Sequence, residues 1–304
     1  MEKEYLNVCF AQLSLTLENS DTSEFLVENE GYHSQMESIL KHLETSEFDV
    51  MVFPEISFSK KYSDRLLSLS KGRLIVFGST YIDGENITVV YYDGKEQLIK
   101  KRFLCAVEPA VRSCERISVN KFLTTYLKEH TFTLYGKKII VLNCAEYYNT
   151  AYMIARNSRY SKNLFGFIVP CANNNTKVFL EESRAIHNHN SEIYSFVVNA
   201  VGTYSGKNYA KGESYVFGKV SPFEKECATY SRLEHPGNIC YLDDGAYLVT
   251  ANYLMQNYSP FYRSDNFYFT PKNFNVVKLG EGYEESFNNS RTNKWVYRRS
   301  YENN

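Results

Sequence analysis

GKKIIVLNCAEYYN (residues 136–149) decides how this chain is read. A glycine turn and two lysines lead into an unbroken apolar run at 139–142, which stops abruptly at Asn143, Cys144, Ala145 and Glu146. A short, continuous aliphatic run fits a strand buried on both faces, and such strands belong to layered α/β sheets. Two other segments have the same form. In DVMVFPEISF (49–58) the run ends at Pro54 and Glu55; in KEQLIKKRFL (95–104) Leu98 and Ile99 lead into Lys100 and Lys101. Strand ends of an open α/β sheet converge on one crevice. A carboxylate, an ammonium and a thiol gathered there form a catalytic set. The carboxylate takes the thiol proton, the thiolate attacks, and the ammonium holds the oxyanion. Taken singly, each residue has a plainer explanation: a solvated Glu, a surface Lys pair, an inert packed Cys.

The rest of the chain repeats the alternation. Strands are expected at 6–13, 50–53, 74–78, 87–92, 132–134, 138–143, 167–169, 196–200, 214–216 and 239–242, from runs of Val, Ile, Tyr and Phe between turn residues. Helices are expected at 32–43, where Met36, Ile39, Leu40 and Leu43 form one stripe, and at 63–69, 119–129, 150–157 and 178–191. Strand–helix alternation over most of the chain means an α/β layered domain. After about Met255 the sequence becomes aromatic and polar without regular alternation. We read 1–255 as the domain and 256–304 as a C-terminal tail that either crosses to a partner subunit or folds back on its own. The aromatics Phe261, Tyr262, Phe267, Tyr268, Phe269, Trp295 and Tyr297 favour a subunit interface, so a homodimer or larger homo-oligomer is expected.

Composition narrows the function classes. The 304 residues carry 34 Lys+Arg against 35 Asp+Glu, a net charge of −1, which argues against a nucleic-acid partner. At 43% hydrophobic the chain can bury a sizeable core. The N-terminus reads as neither signal peptide nor membrane span, so a cytoplasmic location without membrane contact is expected. The seven cysteines include no CxxC pair, which argues against a disulfide framework or a zinc site. His187 and His189 invite a metal reading, but in a helix they do not face each other, and no metal is expected.

In order, these segments resemble the nitrilase, or carbon–nitrogen hydrolase, superfamily. NVCFAQLSL (7–15) is similar to the family's opening strand with its glutamine, here Gln12; FDVMVFPEIS (48–57) to its "D…vfPE" segment; GRLIVFGST (72–80), ENITVVYYDGK (85–95) and KKRFLCAVEPA (100–110) to "iv.Gs … N.a.v…G … rK..L…..E"; and GKKIIVLNCAEYYN to "g.riGv.iC.E". Downstream, FIVPCANN (167–174), SRAIHNHN (183–190), SFVVNAVG (195–202) and KGESYVF (211–217) resemble "ivPs.n", "RA.EN", "vv.aN..G" and "G.S.i". The likeness runs from Asn7 to about Leu254. The chain departs from the pattern at AIHNHN, where an acidic residue is usual, and after Cys144, where the tryptophan of true nitrilases and a following proline are missing.

The resemblance implies a four-layer α-β-β-α sandwich of the nitrilase type, with two sheets face to face and helices outside. It implies Glu55 as acid/base, Lys101 as oxyanion donor, Cys144 as nucleophile, Glu108 as a supporting carboxylate and the Ala145 N–H as a second oxyanion donor. Lys100 is the alternative lysine; the spacing to Leu104 favours Lys101. Tyr147 and Tyr148, next after the elbow, are pocket or core aromatics, and Asn173 is a pocket wall or a polar turn. The implied activity is hydrolysis of a small amide without a cofactor, amides being preferred over nitriles. The same residues would serve an N-acyltransferase, and a degenerate oligomeric scaffold is a further possibility.

Overall fold

The structure is a computed structural model; it describes residues 3–19, 24–104, 117–190, 192–204, 206–218, 238–241, 245–255, 272–279 and 286–288. The first half runs β1 (Tyr5–Gln12), β2 (Ser14–Asn19), β3 (Glu24–Leu26), α1 (Glu30–Thr45), β4 (Val50–Val52), α2 (Ser63–Leu69), β5 (Leu74–Ile82), β6 (Glu85–Tyr92) and β7 (Lys95–Lys100). The second runs α3 (Val119–Lys121) with a π-helical turn at Phe122–Tyr126, β8 (Thr131–Leu134), β9 (Lys137–Val141), α4 (Ala145–Arg156), α5 (Ser158–Ser161), β10 (Leu164–Cys171) and α6 (Lys177–His189). It continues with β11 (Tyr194–Asn199), β12 (Val201–Tyr204), β13 (Lys207–Lys211), β14 (Tyr215–Phe217), β15 (Asn238–Tyr241), β16 (Tyr247–Leu254), β17 (Lys272–Lys278) and β18 (Ser286–Asn288).

Two large sheets form the centre. One has the order β18-β17-β16-β1-β4-β5-β6-β7 and the other β15-β14-β11-β10-β9-β8; a small third sheet is ordered β13-β12-β2-β3. The middle of each large sheet is parallel (β1, β4 and β5 in one, β9, β10 and β11 in the other), and the flanks are antiparallel.

Side-chain alternation sorts the strands into layers. From β1, Leu6, Val8 and Phe10 join Val50, Val52, Leu74 and Val76 against Ile139, Val141, Phe165, Ile168 and Phe196 of the facing sheet. The intervening Cys9 and Ala11 turn the other way, with Met51, Ile75 and Phe77, onto Met36, Ile39, Leu40 and Leu43 of α1 and Leu66 of α2. On the opposite flank Ile140, Leu142, Phe167 and Val197 pack on Tyr147, Ala151 and Ile154 of α4 and Phe179 and Ile186 of α6. The layers therefore run helix, sheet, sheet, helix, as the resemblance implies. Strands covered on both faces have no polar side to show, which is why they read as unbroken apolar runs.

The helices depend on this burial. α1 contains glycine, serine, histidine and threonine, a poor helical composition. Asn29 caps it by accepting from the Tyr32 N–H at 2.9 Å. Each fully buried aliphatic side chain contributes about 1.5–3 kcal/mol, so the stripe of Met36, Ile39, Leu40 and Leu43 outweighs the propensity deficit. The expected helix over 119–129 is instead a short α turn followed by the wider π turn, closed by Leu127 N–H on Phe122 O at 3.0 Å.

The tail divides. β17 pairs with β16, and β18 with β17, so residues 272–278 and 286–288 extend the large sheet of their own chain. The aromatics on which the interface expectation rests lie outside the described residues. No helix among the described residues is long and apolar enough to cross a membrane.

Candidate active site

Glu55 follows β4 on a tightly held corner. Ile56, next in the chain, has φ 56°, a left-handed value that is an outlier for a β-branched residue. The surroundings hold it there. Ser79 Oγ accepts the Ile56 N–H at 3.2 Å, Ser57 Oγ donates to Pro54 O at 2.7 Å, and Tyr32 OH donates to Ser57 O at 2.8 Å. Gly78 makes room: a Cβ there would lie 2.1 Å from Pro54 O, and its φ is +68°. The Glu55 N–H reaches the facing sheet, donating to Cys171 O at 3.3 Å.

Lys101 continues the line of β7, its N–H donating to Asn86 O at 2.9 Å. Its Nζ donates to Glu55 Oε1 at 2.7 Å, and Asn86 Nδ2 donates to the same oxygen at 3.0 Å. Glu55 is 4% exposed and Lys101 2%. Lys100 points outward instead and pairs with Glu85. Buried charges persist only when paired and hydrogen-bonded, and this pair is both. Asn86 in turn accepts from Asn143 Nδ2 at 3.3 Å, and Asn143 Nδ2 also donates to Thr88 Oγ1 at 2.8 Å. A polar chain thus runs beneath the pair to the residue before the thiol.

Cys144 occupies the turn between strand and helix, three residues beyond the end of β9 and immediately before α4. Its φ is 48° and ψ −105°, while its N–H is fixed on Pro170 O at 2.9 Å. Strain of this kind costs on the order of 1–3 kcal/mol and persists where the surroundings over-determine it. The Cys144 thiol is held well above the ordinary cysteine range. Its hydrogen bond to the Cys171 thiol acts most strongly, followed by burial and the Glu55 charge, with the Lys101 charge opposing them. The carboxylate and the ammonium are thus both felt at the sulfur. Ala145 is the first residue of α4, where N–H groups have no acceptor within the helix.

Glu146, the glutamate of the "C.E" pattern, has a place in the site to which the sequence assigns no role. It is 1% exposed. Its Oε1 accepts from the Arg102 N–H at 2.6 Å and its Oε2 from the Asn143 N–H at 3.0 Å. One carboxylate therefore ties the backbone just after Lys101 to the backbone just before Cys144. His130 stands beside it, Nδ1 3.7 Å from Glu146 Oε2 and donating to Val141 O at 2.9 Å. Glu146→Gln would set an NH2 group against one of those N–H donors. We expect a loss of about 1–3 kcal/mol, read as a lowered urea midpoint at unchanged m-value.

Asn173 lies beside the thiol, Nδ2 4.0 Å from Cys144 Sγ. Asn199 braces it, accepting the Asn173 N–H at 2.8 Å and donating through Nδ2 to Asn173 O at 2.7 Å. Tyr147 takes the core place of the two open to it. Its hydroxyl bonds to Ser183 and Ser195, both at 2.8 Å, and its ring stacks on Phe179. Three residues after Cys144, the tyrosine lies on the sheet-facing side of α4, edge-on to Phe167. Tyr148 is half-buried, edge-on to Phe179. Glu108 lies outside the described residues. His187 packs on Phe217 and His189 on Tyr152, so the two histidines diverge. Among the described residues no group of three or more His, Cys, Asp or Glu side chains is placed to hold a metal ion.

No protein-family model and no curated protein matches the chain. Solved structures do. XC1258 from Xanthomonas campestris, a CN-hydrolase superfamily protein with an arsenic adduct in its active site, superimposes with TM-score 0.55 at 13% identity, covering 83% of this chain and 91% of its own. This chain has the carbon–nitrogen hydrolase fold. A mutant of the amidase from Nesterenkonia sp. AN1, in complex with butyramide, matches the same fold with TM-score 0.51 at 10% identity, over 82% of this chain and 91% of that one. The C. elegans NitFhit protein matches with TM-score 0.54 at 11% identity, over 84% of this chain and 62% of its own. At these identities the carbon–nitrogen hydrolase fold is what is shared, and the chemistry is argued from the residues.

Proposed function

We propose that this protein hydrolyses the C–N bond of a small amide through an acyl-Cys144 intermediate. One observation carries the reading: a buried carboxylate–ammonium pair, Glu55 and Lys101, stands beside a buried thiol on a strained strand-to-helix corner. An ion pair kept out of water is weak as a stability device. It is well suited to moving a proton and holding an oxyanion.

In this mechanism Glu55 accepts the Cys144 proton as the sulfur attacks the amide carbon. A base is needed because the thiol is held protonated at neutral pH. The carbonyl oxygen gathers charge and is held by the Lys101 ammonium and the Ala145 N–H. Glu55 returns the proton to the nitrogen, the C–N bond breaks and the amine leaves. Water, deprotonated by Glu55, then cleaves the thioester and regenerates the thiol. Asn86 positions Glu55, and Glu146 fixes the spacing between Lys101 and Cys144. The Nesterenkonia protein is an amidase held with butyramide, which makes short aliphatic amides the first substrates to try.

The test is a panel of short amides and their matching nitriles, followed by ammonia release and by intact mass for an acyl adduct on Cys144. Amides are expected to turn over faster, because no tryptophan follows the thiol. Turnover of a nitrile faster than its amide would reverse the substrate order. Products that form only when an amine is supplied would make the protein an acyltransferase.

A further inference from the structure

The mechanism uses one thiol, but the site holds two. β9 and β10 are parallel neighbours with Val141 opposite Ile168. Three residues further along each strand line come Cys144 and Cys171. The ladder continues that far, since Leu142 N–H donates to Ile168 O and Cys144 N–H to Pro170 O, each at 2.9 Å. Both cysteines are reduced and buried, and the register sets them opposite each other. Neighbouring strands lie about 4.7–4.9 Å apart. That falls within the roughly 4.4–6.8 Å Cα separation a disulfide spans.

We propose that Cys144 and Cys171 form an oxidisable dithiol, in which a peroxide converts the pair to a Cys144–Cys171 disulfide. The steps balance. The Cys144 sulfur attacks one peroxide oxygen, the O–O bond breaks, and the departing oxygen leaves as water with the thiol proton. Cys144 is then a sulfenic acid, oxidised by two electrons. The Cys171 sulfur attacks the Cys144 sulfur, an S–S bond forms, the S–O bond breaks, and a second water leaves with the Cys171 proton. Two thiols and one peroxide become one disulfide and two waters, and an external dithiol reverses the change.

The position of the second thiol gives the pair its consequence. A sulfenic acid without a neighbouring thiol proceeds to sulfinic and sulfonic acids, which dithiols do not reduce. Cys171 intercepts that path. Cys9 offers the contrast within the same chain. It lies on the helix-facing side of β1, opposite Thr250 on one neighbouring strand and Met51 on the other, with no thiol across from it. It is expected to stay reduced while the pair closes. If Cys144 is the nucleophile proposed above, disulfide formation also stops catalysis reversibly. The dithiol chemistry itself does not rest on that reading.

The test treats the full chain with hydrogen peroxide, quenches it, and maps cysteine-containing peptides by mass. The expected result is loss of two hydrogens, a linked Cys144–Cys171 peptide, and recovery of the starting mass with dithiothreitol. Cys171→Ser, with Cys171→Ala as a second variant, should instead accumulate oxygen atoms on Cys144 that dithiothreitol does not remove. Wild-type protein gaining oxygen on Cys144 as fast as these variants would overturn the proposal. So would linkage of Cys144 to any other cysteine, or peroxide leaving both thiols unchanged. None of these readouts depends on amide turnover, so failure here is distinct from failure of the hydrolase reading.

Discussion

Cys144→Ala is expected to abolish acyl-adduct formation and to lower amide turnover by ~10⁴-fold or more, the scale on which a lost nucleophile acts. The fold should survive. The substitution removes one sulfur, while the Cys144 N–H stays on Pro170 O, so the stability change should stay within about 1 kcal/mol. A companion variant separates chemistry from strain. At φ 48° and ψ −105° alanine is as strained as cysteine, whereas glycine is not. Cys144→Gly should therefore match or exceed Cys144→Ala in urea midpoint while being equally inactive. Strain retained for positioning the sulfur predicts that ordering; a corner held only by local packing predicts the reverse. Hydrolysis at the wild-type rate by either variant would remove Cys144 from the mechanism.

The parts of the fold legible in the sequence are those decided by local burial. Strands closed between two layers announce themselves, as at residues 50–52 and 139–141, because neither face tolerates a polar side chain. The small third sheet is not legible in this way. β12 and β13 (VGTY and KNYAK) are polar and half-exposed, and β12 is a strand only because it pairs with β2, with Val201 opposite Ser14. Nothing near residue 201 encodes that partner. α4 starts five residues before the expected helix at 150–157, since a strand that becomes a helix across one left-handed cysteine leaves no loop to recognise. The site shows the same division. Glu55, Lys101 and Cys144 stood out as reactive groups ending apolar runs. Glu146 and Asn86 did not, because their partners include backbone groups of Arg102, Asn143 and Lys101, and backbone partners leave no trace in residue identity. Cys171 read as one more small buried residue until the register of β9 and β10 set it opposite Cys144.

Lys101→Ala is expected to damage stability and rate together, and their separation by pH tests the buried pair. The variant leaves the Glu55 carboxylate 4% exposed with its ammonium gone. Breaking a buried pair from one side typically costs about 3–5 kcal/mol. The Asn86 amide still donates to Oε1, which places the expected loss at the lower end. Without the neighbouring cation, burial disfavours the charged carboxylate. The folded variant then takes up a proton at higher pH than the unfolded chain, so it gains stability as pH falls through the interval between the two. Urea midpoints for wild type and Lys101→Ala should therefore converge on acidification and diverge towards neutral pH. Adding Glu55→Gln to Lys101→Met removes both charges, and the double variant should be less destabilised than the sum of the two single ones. Activity follows a different rule. Loss of one oxyanion donor costs ~10²–10³ in rate, and acidification that restores the variant's fold also protonates its base, so turnover should not recover with stability. If Lys101→Ala regained wild-type turnover at the pH where its urea midpoint recovers, the ammonium would be structural and the oxyanion would have to be held by another donor.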